Sequence, residues 1–96
     1  MTRFHFSPRA ERDLDGILNY IARDKPDAAV RFVARIRETC ARLGDFPELG
    51  ELCADLAPGL RMFCVGNYVV YYTSGAHAIR VERVLHAAQD DDAYNR

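Results

Sequence analysis

Apolar residues recur at helical spacing twice in the first half of this chain, and a single proline separates the two stripes. The first stripe runs through Ala10, Leu14, Ile17, Leu18 and Ile21, the second through Ala29, Phe32, Val33, Ile36, Cys40 and Leu43. Steps of three and four put each set on one helical face. Ser7-Pro8 opens the first helix, because serine is a good N-cap and proline is preorganised for the first helical position. This helix should stop near Ala22-Arg23-Asp24. Pro26 disfavours helical geometry at Lys25 and suits the first turn of the next helix. Gly44 is the expected terminator of the second helix. So short a link folds the pair into an antiparallel hairpin. Arg9 with Asp13, and Glu38 with Arg42, are spaced for ion pairs at i,i+4.

The period then changes. Arg3-Phe4-His5-Phe6, before the hairpin, alternates as a short strand does. After it, residues 45–59 are turn-rich and read as a connector. Three strand-like runs follow: residues 60–65, residues 68–73 beyond a Gly66-Asn67 turn, and residues 78–86 beyond Ser74-Gly75-Ala76-His77. The middle run is apolar on both faces, as a central strand is. In the last run, simple alternation puts Ile79, Val81 and Leu85 on one face. It puts Arg80, Glu82, Val84 and His86 on the other. The expected order is β-α-α-β-β-β, an α+β fold with the helical hairpin on one face of a mainly antiparallel sheet. With 96 residues and no change of composition along the chain, one domain spanning 1–96 is expected.

Composition narrows the function. Nothing approaches the roughly 20 apolar residues of a membrane span, and Met1 to Phe6 lacks the apolar core of a signal sequence; a cytoplasmic location is expected. Cys40, Cys53 and Cys64 show no CxxC spacing, and His5, His77 and His86 lie far apart, so neither a disulfide framework nor a metal site is expected, nor any cofactor. Cys40 lies in the apolar stripe and reads as buried filler. The net charge of −1 disfavours a protein whose main task is neutralising nucleic-acid phosphates. Yet only one of the 13 basic residues is a lysine, Lys25; the rest are arginines, which serve protein interfaces well. Gln89 to Asp92 make the tail acidic.

Several stretches together resemble a known family. Phe6-Ser7-Pro8-Arg9-Ala10-Glu11-Arg12-Asp13-Leu14-Asp15-Gly16-Ile17 looks like the ParE signature of a strand, Ser-x-x-Ala and an acidic Asp-Leu pair. Phe46-Pro47-Glu48-Leu49-Gly50 resembles that family's Pro-x-x-Gly connector. Leu60-Arg61, Gly66 to Tyr72 and Arg83-Val84-Leu85-His86 resemble its sheet motifs, in order and at the usual spacing. Ala87-Ala88-Gln89-Asp90 stands where such chains often carry Gly-Arg-Arg-Asp. The resemblance to the ParE/RelE superfamily, over about residues 4 to 90, implies the toxin of a type II toxin–antitoxin pair. ParE-like toxins poison DNA gyrase and are held silent by a ParD-like antitoxin, in a hetero-oligomer. RelE-like relatives cut messenger RNA on the ribosome. A non-toxic antitoxin-binding relic is the third alternative.

The candidate residues follow from these readings. Arg61, Arg80, Glu82 and His86 are expected on the sheet face away from the helices. There an Arg–Glu–His set offers RNA transesterification, with Glu as base, His as acid and Arg on the phosphate. The plainer alternative is a strand face with cross-strand ion pairs and a binding role. Cleavage of the RelE type, as the family implies it, leans on several lysines, which this chain lacks. No enzymatic activity is therefore expected, and Arg61, Arg83 and His86 are the candidate contacts to a protein target, Arg83 with the weakest case because alternation points it toward the helices. Tyr68, Tyr71 and Tyr72 read as core of a central strand rather than base-stacking platforms. Arg31, Arg35 and Arg42 share one flank of the second helix, either a solvated face or a groove for an acidic partner. Leu49, Leu52 and Leu56 either join the antitoxin groove with Arg31 and Arg35 or cap the core. A disordered antitoxin segment would fold on binding, as a helix or as an added strand.

Overall fold

A computed structural model describes residues 3–88 and Tyr94. The chain runs β1 (Phe4–Phe6), α1 (Pro8–Ala22), α2 (Pro26–Asp45), a 3-10 turn (Pro47–Leu49), β2 (Glu51–Leu52), β3 (Arg61–Val65), β4 (Tyr68–Ser74) and β5 (Ile79–His86). The five strands form one sheet in the order β1-β5-β4-β3-β2. β1 lies parallel to β5, and every other pairing is antiparallel. The helical hairpin packs on one face, as the periodicity predicts. The connector contributes a short edge strand, β2, which its turn-rich composition conceals.

Ser7 joins the two layers. Its Oγ accepts the Ala10 N–H at 3.0 Å, capping α1, and donates to the Glu82 carbonyl at 2.8 Å. A cap of this kind stabilises a helix by about 1 kcal/mol. Here it also ties the start of α1 to β5. Gly44 does not end α2, which continues through Asp45. It is glycine because the Arg3 backbone lies against it: a Cβ there would sit 2.6 Å from the Arg3 carbonyl oxygen. Gly66 has φ +58 in the tight β3–β4 turn, a conformation costly to residues with a side chain.

Two cores flank the sheet. Between sheet and helices lie Ala10, Leu14, Ile17, Ile36, Cys40 and Leu43 with Val65, Val70, Tyr72, Ile79, Val81 and Val84. On the other face, Cys53, Leu60, Val69, Tyr71 and Leu85 form a second cluster, covered by Leu56, Ala57, Met62 and Tyr94. That face is therefore not the open strand surface expected from the sequence. The alternation of β5 is also corrected. The register slips between Tyr71 and Tyr72, which pair with Arg83 and Val81 respectively, leaving Glu82 as an extra residue. The bulge inverts the faces beyond it. Val84 thus joins Ile79 and Val81 under the helices, while Leu85 turns to the second core.

Candidate functional site

Of the four residues expected on one face, Arg80 and Glu82 stay together, while Arg61 and His86 lie apart from them and from each other. Arg61 is half-buried at the start of β3, where Nη1 donates to the Gly50 carbonyl at 2.6 Å. Its cross-strand neighbour Tyr72 completes the anchor: the hydroxyl donates to the Pro47 carbonyl at 2.6 Å and accepts the Gly50 N–H at 2.8 Å. Burial raises the Tyr72 pKa above its ordinary value, against the lowering by Gly50 and Arg61. Glu82 is held by the Arg80 Nε at 3.2 Å and the Thr73 hydroxyl at 3.0 Å. His86 pairs across the sheet with Tyr68, four residues along β4 from Tyr72 and so roughly 13 Å from the Arg61 end. Arg61, Glu82 and His86 do not converge on a common point. Among the described residues no three His, Cys, Asp or Glu side chains cluster as metal ligands.

Arg83 has structural partners. β1 ends at Phe6, so β5 beyond Val81 lacks a neighbouring strand on that side. Asp13 of α1 takes the strand's place. Its carboxylate accepts the Val84 N–H at 3.0 Å and both Arg83 Nε at 2.8 Å and Nη2 at 3.0 Å. The two side chains are 13% and 15% exposed. The hydrogen bonds from Arg83 to the Asp13 carboxylate raise the arginine's pKa still further. Asp13 thus pairs with Arg83 rather than with Arg9, and Glu38 and Arg42 form no ion pair among the described residues.

The surface opens elsewhere, at the end of the sheet that carries His86. A cleft of about 700 Å³ lies between the end of α1, the first half of α2 and the β3–β4 turn, lined by Tyr20, Phe32, Tyr68, His86 and Gly66-Asn67. Tyr68 is its floor, with the Phe32 ring 5.5 Å and the His86 ring 5.1 Å away, the latter edge-on. Burial, and then the neighbouring Tyr20, raise the Tyr68 pKa. Tyr20 is 66% exposed, and the Arg23 guanidinium lies 6.0 Å from its ring centre. A methyl group at Gly66 would sit 3.3 Å from the Phe32 ring and 3.9 Å from Arg35 Nη1, which places Arg35 at the rim. A second groove of about 310 Å³ adjoins, sharing Tyr20, Tyr68 and His86 and adding Arg12 and Asp13.

Of the residues singled out in the sequence, His86 lines this cleft, and Arg31 and Arg35 are exposed on the helix beside it. Leu49 and Leu52 are exposed at the opposite, β2 side of the sheet, whereas Leu56 packs against the second core. Gln89 and Asp90 lie outside the described residues. Sequence reasoning missed Tyr20. Its signal was available: a large aromatic standing off the apolar stripe of α1.

Comparison with known proteins agrees with this architecture. The family model described as "ParE toxin of type II toxin-antitoxin system, parDE" matches residues 4–91. The chain is 33% identical over 96 residues to Toxin ParE of Escherichia coli, covering 94% of this chain and 89% of the relative. It is 29% identical over 93 residues to Toxin ParE1 of Mycobacterium tuberculosis, covering 95% of each. It is also 32% identical over 81 residues to Toxin RelE2 of Caulobacter vibrioides, covering 84% of this chain and 90% of that one. Among solved structures, a chain of the chromosomal ParDE TA system from P. aeruginosa superposes with a TM-score of 0.75 at 20% identity, over 90% of this chain and 96% of that chain.

Proposed function

The chain belongs to the family of ParE toxins of type II toxin–antitoxin systems, and from that premise we propose that it acts by holding DNA gyrase through protein contact, without chemistry of its own, and is silenced by a ParD-like antitoxin. The observation that carries this reading is the dispersal of Arg61, Glu82 and His86. The acid, base and phosphate-holding groups of a ribonuclease must meet within hydrogen-bond reach of one scissile bond. Here Arg61 anchors the connector, Glu82 is engaged by Arg80 and Thr73, and His86 stands at the other end of the strands. The single lysine, Lys25, is in the link between the helices, far from a lysine-rich phosphate site. A net charge of −1 also favours a protein target over a polyanion.

On this reading His86 and its cleft are the exposed contact surface, and Arg61 and Arg83 preserve the scaffold that presents it. The relative named RelE2 keeps messenger-RNA cleavage as the second reading. The test is expression in a bacterial host. Growth should stop on induction and resume when the small protein encoded beside the gene is co-expressed. Uninterrupted growth at full soluble expression would contradict the toxin reading.

A further inference from the structure

The aromatic cleft and the arginines around it carry one further step. Monomeric surfaces rarely leave a cluster such as Tyr20, Phe32 and Tyr68 open to water without an interaction to serve. Tyrosine and arginine are also the residues on which interface energy concentrates. Several arginines stand around this cleft. Arg23 lies over Tyr20, Arg35 stands beside Gly66, and Arg12 lines the adjoining groove. Arg31 and Arg42 fall on the same flank of α2 as Arg35, because steps of four and seven return to nearly one helical face. Arg31, Arg35 and Arg42 form no ion pair among the described residues. Asp13 is the one carboxylate among the described residues lining cleft and groove, and Arg83 already engages it.

We infer that this cleft seats an acidic segment of the antitoxin, which inserts a bulky apolar side chain over Tyr68 while its carboxylates meet Arg12, Arg23 and Arg35. The inference rests on the toxin reading for the identity of the partner, and it moves the docking surface away from Leu49 and Leu52. A cleft of about 700 Å³ has room for an aromatic or leucine anchor and the turn of backbone that carries it. Unpaired arginines at the rim speed encounter with an acidic chain and reject a basic one.

Calorimetric titration of the neighbour-encoded antitoxin into the purified protein, at low and at high salt, tests this. Tyr20→Ala and Arg35→Glu alter exposed side chains, so both variants should fold. Each is expected to weaken binding at least tenfold, Leu52→Ala to leave it unchanged, and high salt to weaken the wild-type complex. Wild-type affinity in both cleft variants, or no antitoxin binding at all, would overturn the inference. Growth assays separate the two claims. Arrest relieved by the antitoxin, with binding indifferent to Tyr20 and Arg35, leaves the toxin reading standing and removes the docking site. Cleft-dependent binding without growth arrest does the reverse.

Discussion

At the scale of single residues, the most consequential side chain is Asp13. It is one carboxylate doing the work of a missing strand, closing the exposed edge of β5 at Val84 and orienting Arg83 in a two-pronged pair. Hydrogen bonds to charged groups that are largely shielded from water contribute more than neutral ones. Arg83→Ala should therefore lower unfolding stability by about 2 kcal/mol, read from urea titration, and Asp13→Ala should cost at least as much because it also orphans the Val84 amide. Cys40 makes a second prediction. Burial pushes its thiol from the ordinary value of 9.0 up to about 12, with Arg37 pulling the other way. A folded-state pKa above the unfolded one means that the stabilisation is intact below pH 9 and drains away as pH rises toward 12. The urea midpoint should fall across that alkaline range, and less steeply in Cys40→Ala. A thiol reagent at pH 8 should modify the exposed Cys64 in the native state and spare Cys40.

Among elements, the two helices were legible in the sequence because each carries a capping or breaking residue and a periodic stripe, and Pro26 marks the break between them; the end of α2 was not, since Gly44 lies inside it. Nor was the end of β5. Strict alternation assumes a regular ladder, and the extra residue at Glu82 inverts every side chain after it. Nothing in Arg80-Val81-Glu82-Arg83 marks that position, since a bulge is set by pairing with Tyr71 and Tyr72 on another strand. For the same reason Arg61, Glu82 and His86 looked like neighbours in a strand pattern and are separate in space. The ion pairs expected along the helices failed differently: Asp13 found a better-shielded partner 70 residues away. Glycine roles divide along similar lines. Gly44 is held by a long-range contact with the Arg3 backbone, whereas no neighbouring group lies within 4 Å of a Cβ built at Gly16. Gly44→Ala should cost about 1–3 kcal/mol by forcing α2 away from β1. Gly16→Ala, in the open middle of α1, should stabilise by about 0.5–1 kcal/mol through helix propensity. Thermal unfolding of the two variants checks both signs.

For the molecule as a whole, the sheet carries the helices on one face and the folded connector on the other. A cleft opens at the end where α1, α2, the β3–β4 turn and His86 meet. On the reading proposed above, that end is where the toxin meets another protein; the family match itself is to ParE toxins of type II toxin–antitoxin systems. The direct measurement is a supercoiling assay with purified DNA gyrase and relaxed plasmid, alongside translating ribosomes carrying a defined messenger RNA. Supercoiling should be blocked in proportion to added protein and restored by the antitoxin, while the messenger RNA stays whole. Intact gyrase activity together with messenger-RNA cleavage that vanishes in His86→Ala or Arg61→Ala would contradict the account.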